Sequence, residues 1–477
     1  MPLDLTTIPE LTRTQLERTR DFYDAESDRK TGSSRRFHEL LGRYYAQMIP
    51  DGVSVLEIGC GDGSLLALLP GRTVTGVDLS AKQLEKARAK LPHGRFFEQA
   101  GEALSLEGTF DYIIISETVN LAADVQRVFD EALRFSHPGT RLILNFYSSL
   151  WSPVFTLSKW LGLRGRTSAS NWLTLDDVRN MLDLAGWQPL EVQPRILFPF
   201  DVPVLGPLFN RFLAPLLPWF CLTCFCTARP RPPQKREREY TVSVVVPARN
   251  ESGNIEAILR RTPEMGLGTE IVLIEGNSTD DTWKKIQAVA ATNHGRNLKI
   301  LKQTGKGKGN AVREGFAAST GDILMILDAD LTVPPEELPK FYDAVASRHG
   351  EFANGVRLVY PMETEAMQFL NLLANKTFSV IFTWLLLQPI KDTLCGTKVL
   401  FRTDYDHIAK NRAFFGDFDP FGDFDLLFGA DKLHLKITDI PVRYRDRTYG
   451  STNINRWRHG WLLLRMVLFA ARKLRFT

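Results

Sequence analysis

The chain is poor in cysteine: five in 477 residues. So few, at irregular spacing, exclude a disulfide framework as the source of stability. Three of them form a C-x2-C-x-C cluster, Cys221, Cys224 and Cys226. It lacks a second cysteine pair and a neighbouring histidine, which a structural zinc site would need. Thiols buried in a core or facing a membrane are the expected state. An apolar start is also missing. Residues 1–24 read MPLDLTTIPELTRTQLERTRDFYD, with no h-region of a secretory signal, so a cytoplasmic chain with reduced thiols is expected. A large charge excess is absent too. Lys and Arg number 59 against 55 Asp and Glu, a net charge of +4, and no nucleic-acid partner is expected.

A clean run of about 20 apolar residues, the length of a membrane span, is lacking as well. Residues 212–228 (FLAPLLPWFCLTCFCTA) carry no charge but hold two prolines. Residues 377–390 are uncharged and shorter, and Arg465 interrupts the C-terminal GWLLLRMVLFAARKLRF. Two readings stay open for these segments. They are core helices, or they lie in a membrane interface bordered by Arg456, Trp457, Arg458, Trp461, Arg465, Arg472 and Lys473.

What is present is two strand–helix alternations, separated at residues 229–239 by three prolines and seven charges. Such a stretch packs poorly and reads as a linker. Each alternation begins with a β-branched run and a glycine or polar turn, the pattern of an α/β domain with a largely parallel sheet.

In the first half, residues 53–58 predict a strand and Gly59-Cys60-Gly61-Asp62-Gly63 a glycine turn, with a helix expected from Leu65. Glycines permit a tight turn and close approach to a ligand, and a helix N-terminus offers free N–H groups. A second strand ends at Asp78, where a carboxylate can accept from both hydroxyls of a ribose. The glycine spacing lacks the third glycine of a dinucleotide fingerprint, and Asp62 would repel a pyrophosphate. Further on come Gly101-Glu102-Ala103, a strand at 109–115, an amphipathic segment at 125–133, and His137-Pro138-Gly139-Thr140 before a strand at 141–145. This order resembles the class I methyltransferases that use S-adenosylmethionine, across about residues 37–190. The resemblance implies that Gly59, Gly61 and Gly63 line the methionine and ribose of that cofactor. It implies that Asp78 binds the ribose, that Gly101, Glu102 and Ala103 flank the adenine, and that Glu57 orients the turn. His137-Pro138-Gly139-Thr140 departs from the family's Lys-Pro-Gly-Gly. The methyl acceptor is not written in these motifs; Tyr23, His38, Glu117 and Tyr147 are candidates to stand near it.

In the second half four predicted strands end in polar groups: Pro247-Ala248-Arg249-Asn250-Glu251, Glu275-Gly276-Asn277, the loop Gly305-Lys306-Gly307-Lys308, and Asp328-Ala329-Asp330. Ligands of open α/β sheets bind at that edge. Two carboxylates one residue apart suit Mg²⁺ or Mn²⁺ shared with a substrate diphosphate, with Asp330 on the ion and Asp328 on ion or ribose. Lys308 would assist, and Arg249, Glu251 and Glu275 would hold the nucleoside. The half resembles the inverting family 2 glycosyltransferases, most of all the dolichyl- or polyprenyl-phosphate sugar synthases, over about residues 240–455. The resemblance implies phosphate contacts from Arg357 and Arg447, and places Asp425 near the acceptor. It also implies a nucleotide-diphosphate sugar donor and a polyprenyl phosphate or other lipid-linked acceptor. Glu275-Gly276-Asn277 replaces the family's Asp-Asp-Gly, Asn453 stands where Lys is frequent, and Thr332 stands where some members have Gln as a metal ligand.

The expected architecture is α/β: two Rossmann-like domains, a class I methyltransferase fold and a GT-A fold, with a helical membrane-interface C-terminus. The expected boundaries are 1–36 (helical), 37–195 (methyltransferase), 196–228 (apolar, membrane-associated), 229–239 (linker), 240–455 (glycosyltransferase) and 456–477 (basic amphipathic helix). The expected activity is bifunctional, on the inner face of a membrane. Two alternatives are a polysaccharide or soluble glycan acceptor that the first domain methylates, and a first domain that is only an adaptor.

Overall fold

The computed structural model describes residues 10–26, 32–160, 171–199, 202, 204–233, 238–292, 295–357, 369–412, 424–445, 447, 449 and 464–476. Contacts divide the chain into two compact units, Met1–Arg231 and Pro232–Arg475.

The first unit is built on seven strands: β1 (Ser54–Ile58), β2 (Thr73–Asp78), β3 (Arg95–Glu98), β4 (Phe110–Ser116), β5 (Ser136–Tyr147), β6 (Trp187–Arg195) and β7 (Thr223–Pro230). Their order is β3-β2-β1-β4-β5-β7-β6, with β7 antiparallel to both neighbours and the other pairs parallel. Strands buried on both faces read as continuous apolar runs, and β4 shows why. Ile113 and Ile115 point into one core with Val128, Phe129 and Leu182, while Tyr112 and Ile114 point into another with Leu41, Tyr45 and Leu84. The two-residue period of the strand divides these side chains between the faces.

Two findings differ from the sequence expectations. The segment after the glycine turn is only a 3₁₀ turn, Leu66–Leu68, because Pro70 and Gly71 stop it within a few residues. The apolar segment 196–228 is not separate from the first domain: its end forms β7, inserted between β5 and β6. The cysteine cluster therefore lies in and just before a sheet strand. Burial pushes the thiols of Cys221 and Cys226 up to about 12 and that of Cys224 to about 11, which keeps them protonated and inert.

The second unit has strands β8 (Val242–Ala248), β9 (Thr269–Glu275), β10 (Asn297–Lys302), β11 (Ile323–Ile326), β12 (Phe352–Val356), β13 (Lys398–Phe401) and β14 (Ile437–Pro441). The order is β10-β9-β8-β11-β13-β12-β14. The first four run parallel, β13 is antiparallel to β11 and β12, and β14 is parallel to β12. Val242, Val244 and Val246 pack with Ile271, Leu273, Ile323 and Met325 under helices Ile255–Arg261 and Leu338–Ala346. Helix Lys308–Ala318 covers the other face so closely that a Cβ on Gly315 would overlap Val245. No described helix is long and apolar enough to cross a membrane.

Candidate active sites

In the first unit the turn after β1 is held from below and from the side. Glu57, in register with Gly76 of β2 and Ile114 of β4, is buried beneath it. Gly59 has φ 78°, and a Cβ there would overlap the Thr118 hydroxyl, so only glycine fits. Gly61 has φ 50° and faces open space; no protein atom lies within 4 Å of where its Cβ would be. A Cβ on Gly63 would press on Ala87 at 3.0 Å. The Gly61 amide donates to Asp78 Oδ2 at 2.8 Å, and the Ser80 amide donates to Oδ1 at 2.9 Å. Burial pushes the Asp78 carboxyl up, and these amide bonds pull it back. The turn is thus a backbone cradle whose open side adjoins a carboxylate.

Helix Glu10–Glu26 closes over this edge. Leu16 packs on Ala100 with Leu79 and Ala103, and the Ser80 hydroxyl donates to Asp24. The helix lies in the segment 1–36 expected to be helical and carries Tyr23, one of the candidates to stand near the methyl acceptor. Gly101 sits against Ile58, where a Cβ would come within 2.8 Å of its side chain, and Ala103 closes a turn onto Ala100. Glu102 is buried. Its carboxylate accepts from the amides of Ala123 at 3.0 Å and Asp124 at 3.4 Å, tying down the turn before helix Val125–Arg134.

In the second unit the polar residues collect where the parallel strands end. Pro247 and Ala248 finish β8, Arg249 follows, and Asn250 has φ 58° while its Oδ1 accepts from the Thr279 amide at 2.8 Å. Glu275, the last residue of β9, is buried and accepts from the Ser278 amide. Lys308 opens helix Lys308–Ala318 after Gly307, whose φ is 86°. The loop before it is braced by Gln303, which donates to the Gly307 carbonyl at 2.8 Å.

The two carboxylates of Asp328-Ala329-Asp330 have separate cations. Asp328 Oδ1 pairs with Lys308 Nζ at 2.7 Å, and Asp330 Oδ2 pairs with Arg447 Nη2 at 2.6 Å. Burial would push the Asp328 carboxyl up, but Lys308, with Arg357 and Lys398 beyond it, holds it below its ordinary value. Gly396 makes the first pair feasible: a Cβ there would overlap both Asp328 Oδ2 and Lys308 Nζ. Thr332 caps Asp330 Oδ1 with its amide at 3.1 Å and its hydroxyl at 2.9 Å. Arg447 also reaches Glu251 Oε1 at 3.3 Å, so one guanidinium spans both acids.

Burial pushes the Glu251 carboxyl up to about 7, only partly offset by Arg447 and by the Asn254 amide group. The unfolded carboxyl titrates at about 4.3. Between those values the folded chain holds a proton that the unfolded chain has lost, so Glu251 lowers stability as pH rises through that window. Glu251→Gln is expected to flatten the fall in melting temperature of the second unit between pH 5 and pH 8. Calorimetric scans across that range check it, and equal slopes in both proteins would refute it.

Two residues named from the sequence have charged partners within the protein. Arg357 is clamped by Asp392 in a bidentate pair, Nε to Oδ2 at 2.7 Å and Nη2 to Oδ1 at 2.9 Å, beneath the Tyr444 ring. Asp425 pairs with Arg412 at 3.2 Å and faces Arg313 at 3.9 Å. Asp417, Asp419, Asp423, Asn453, Arg456, Trp457, Arg458 and Trp461 lie outside the described residues.

These two sheets define a methyltransferase-like and a GT-A-like α/β domain in one chain. Residues 56–144 match the family model described as a methyltransferase domain, and residues 243–409 match that of glycosyl transferase family 2. The chain therefore joins a methyltransferase domain to a family 2 glycosyltransferase domain. It is 33% identical over 220 residues to a dolichol-phosphate mannosyltransferase of Pyrococcus furiosus, covering 45% of this chain and 59% of that protein. It is 36% identical over 121 residues to an undecaprenyl-phosphate 4-deoxy-4-formamido-L-arabinose transferase of Pseudomonas aeruginosa, covering 23% and 36%. The chain thus spans less than two thirds of the length of these relatives. A solved SAM-dependent methyltransferase from Thermotoga maritima aligns with 17% identity over 45% of this chain and 98% of its own, at a TM-score of 0.36.

Proposed function

We propose that the second unit is an inverting glycosyltransferase that moves a sugar from a nucleotide-diphosphate sugar to a polyprenyl phosphate or another lipid-linked acceptor. The observation that carries this reading is the convergence of Asp328, Asp330 and Glu251 with Lys308 and Arg447 at one sheet edge. Asp328 and Asp330 offer only carboxylate oxygen, a donor set that fits Mg²⁺ or Mn²⁺. Among the described residues no group of three or more His, Cys, Asp or Glu is arranged to hold a metal. The ion would therefore complete its shell with donor phosphates and water, and when bound it offsets charge on the diphosphate leaving group. Lys308 and Arg447 are the cations that would turn from these carboxylates to the donor's phosphates. Arg249 and Glu275 flank the nucleoside side, and Arg357 supports from behind.

A lipid phosphate is already ionised and needs no base, whereas a sugar hydroxyl does. Asp425, held by two arginines, suits the first case, since its charge is neutralised and does not repel an anionic acceptor. A membrane setting is supported by exposed apolar side chains: Trp219 is 74% exposed, Phe220 63% and Leu468 57%. The relatives named for dolichol and undecaprenyl phosphate support the same acceptor class. Purified protein, Mn²⁺, polyprenyl phosphate in detergent and a panel of labelled nucleotide-diphosphate hexoses test the reading. Label must pass to the organic phase; label that stays wholly aqueous for every donor rejects it.

The first unit, in the same reading, binds S-adenosylmethionine. The cradle fits the group: Gly61 faces open space, and the Asp78 carboxylate, with about four lone-pair sites, has acceptor capacity beyond its amide bonds for a ribose hydroxyl. When bound, the cofactor supplies an electrophilic methyl group. Asp78→Ala removes charge-assisted hydrogen bonds worth about 1.5–3 kcal/mol each and loosens the turn. Binding of S-adenosylmethionine is expected to weaken by at least about tenfold. Titration calorimetry measures it, and unchanged affinity would favour an adaptor domain.

A further inference from the structure

Three side chains beside the glycine turn bear on the methyl acceptor. Glu117 directly follows β4 and adopts φ 58°, ψ −9°, a left-handed conformation that costs a non-glycine residue free energy. Its amide donates to the Asn145 carbonyl at 3.1 Å, and the next residue, Thr118, donates its hydroxyl to the Ile58 carbonyl at 3.0 Å. The strained residue is thereby fixed next to the turn after β1. Its carboxylate pairs through Oε2 with His38 Nε2 at 3.1 Å and accepts through Oε1 from the Tyr147 hydroxyl. Tyr23 is within the electrostatic reach of both this carboxylate and Asp78: burial first, then both charges, push its phenol up. The acid–imidazole pair and the residue proposed for the ribose therefore share a neighbour. Aromatic rings continue the wall, Phe37 to Tyr147 at 6.3 Å, Tyr147 to Phe155 at 5.7 Å and Phe155 to Trp172 at 5.4 Å. The His38 side chain is 39% exposed and that of Glu117 14%, so the imidazole stands on the open side of the pair.

We infer that His38 is the general base of the first unit, positioned by Glu117 and Tyr147, and that the methyl acceptor is a hydroxyl group on a molecule that stacks against aromatic rings. This rests on the methyltransferase reading. The acceptor oxygen bonds to the methyl carbon as the carbon–sulfur bond breaks. That bond's electron pair stays on sulfur, and the hydroxyl proton passes to the imidazole. Charge is conserved in place: the positive charge leaves the sulfonium and reappears on an imidazolium that already faces a carboxylate. A base oriented by a third group is the general arrangement for activating a weak nucleophile. The hydroxyl belongs to a phenol or to a sugar ring, since both stack on aromatic faces.

Calorimetry with S-adenosylmethionine comes first. No binding by the wild type rejects the methyltransferase reading itself. Given binding, His38→Cys incubated with S-adenosylmethionine tests the placement without knowledge of the acceptor. The introduced thiol is expected to gain one methyl group, seen by peptide mass spectrometry, while Gln47→Cys on the same helix gains none. In the wild type, S-adenosylhomocysteine is expected to shift the His38 ring resonances, identified by their loss in His38→Gln, and the shift is expected to shrink in Glu117→Gln. A merely structural ion pair would leave the thiol unmethylated and the His38 ring unmoved, and either result overturns the proposal. With S-adenosylhomocysteine bound, phenol and methyl α-mannoside are the two probes. The one that shifts the Trp172 ring identifies the hydroxyl source, and silence with both overturns the stacking assignment. With the responding probe, His38→Gln is expected to slow methyl transfer about 10²-fold at unchanged cofactor affinity.

Discussion

Asp330→Asn is expected to lower sugar transfer about 10³-fold while leaving the second unit folded. The substitution keeps the shape and one oxygen, so the Thr332 amide and hydroxyl bonds to Oδ1 survive. It removes the negative charge that pairs with Arg447 and, in the proposed site, with a divalent cation. Arg447 keeps Glu251 at 3.3 Å, and Glu251 is itself pushed up to about 7 by burial. The guanidinium has lost one carboxylate, and a donor diphosphate would supply negative charge in its place. Donor binding without metal is expected to hold or tighten, while the increment that Mn²⁺ adds disappears. Calorimetry with and without Mn²⁺ separates these terms, and single-turnover transfer measures the chemical step. Normal transfer by Asp330→Asn would show that the cation is held elsewhere.

The strands that run through the middle of each sheet were legible because parallel packing demands apolar residues on both faces. The buried runs at β1, β4, β8 and β11 carry that mark. Strand β6 was not, because Pro189 and Pro194 argue against a strand; it is tolerated because β6 is the outermost strand of its sheet. Strand β7 was hidden for the opposite reason. Thr223–Pro230 lies between two strands, so its burial on both faces reads like a lipid-facing segment. In the sites, residues at strand ends were legible from position alone. Their partners were not. Arg447 lies 117 residues from Asp330 and 196 from Glu251, and no local pattern encodes that one guanidinium spans both. The protein partners of Glu102 and Arg357 were hidden for a related reason. A family motif pairs a side chain with a ligand and says nothing of the buried groups, such as Asp392, that hold that side chain in place.

That last point makes Asp392→Ala the sharpest test of what holds the second site in place. Asp392 is fully buried, and besides the bidentate pair it accepts from the Arg357 amide at 3.1 Å and the Leu394 amide at 3.0 Å. Removing it leaves a guanidinium in a poorly hydrated setting without its bidentate carboxylate, offset by the Tyr444 ring 5.1 Å away and by the more distant charge of Asp328. Breaking one side of a buried pair costs about 3–5 kcal/mol, a large share of the roughly 5–15 kcal/mol that stabilises a domain. The urea midpoint of the second unit is expected to fall accordingly. Replacing both partners, Asp392→Leu with Arg357→Leu, removes the orphaned charge and is expected to recover most of that loss. Sugar transfer is expected to stay impaired in the double variant, because Arg357 also helps hold Asp328 ionised. If the single variant lost under about 1 kcal/mol, the pair would be no stronger than an exposed one. If the double variant recovered transfer as well as stability, Arg357 would be scaffold alone, and Lys308 with Lys398 would suffice to keep Asp328 charged.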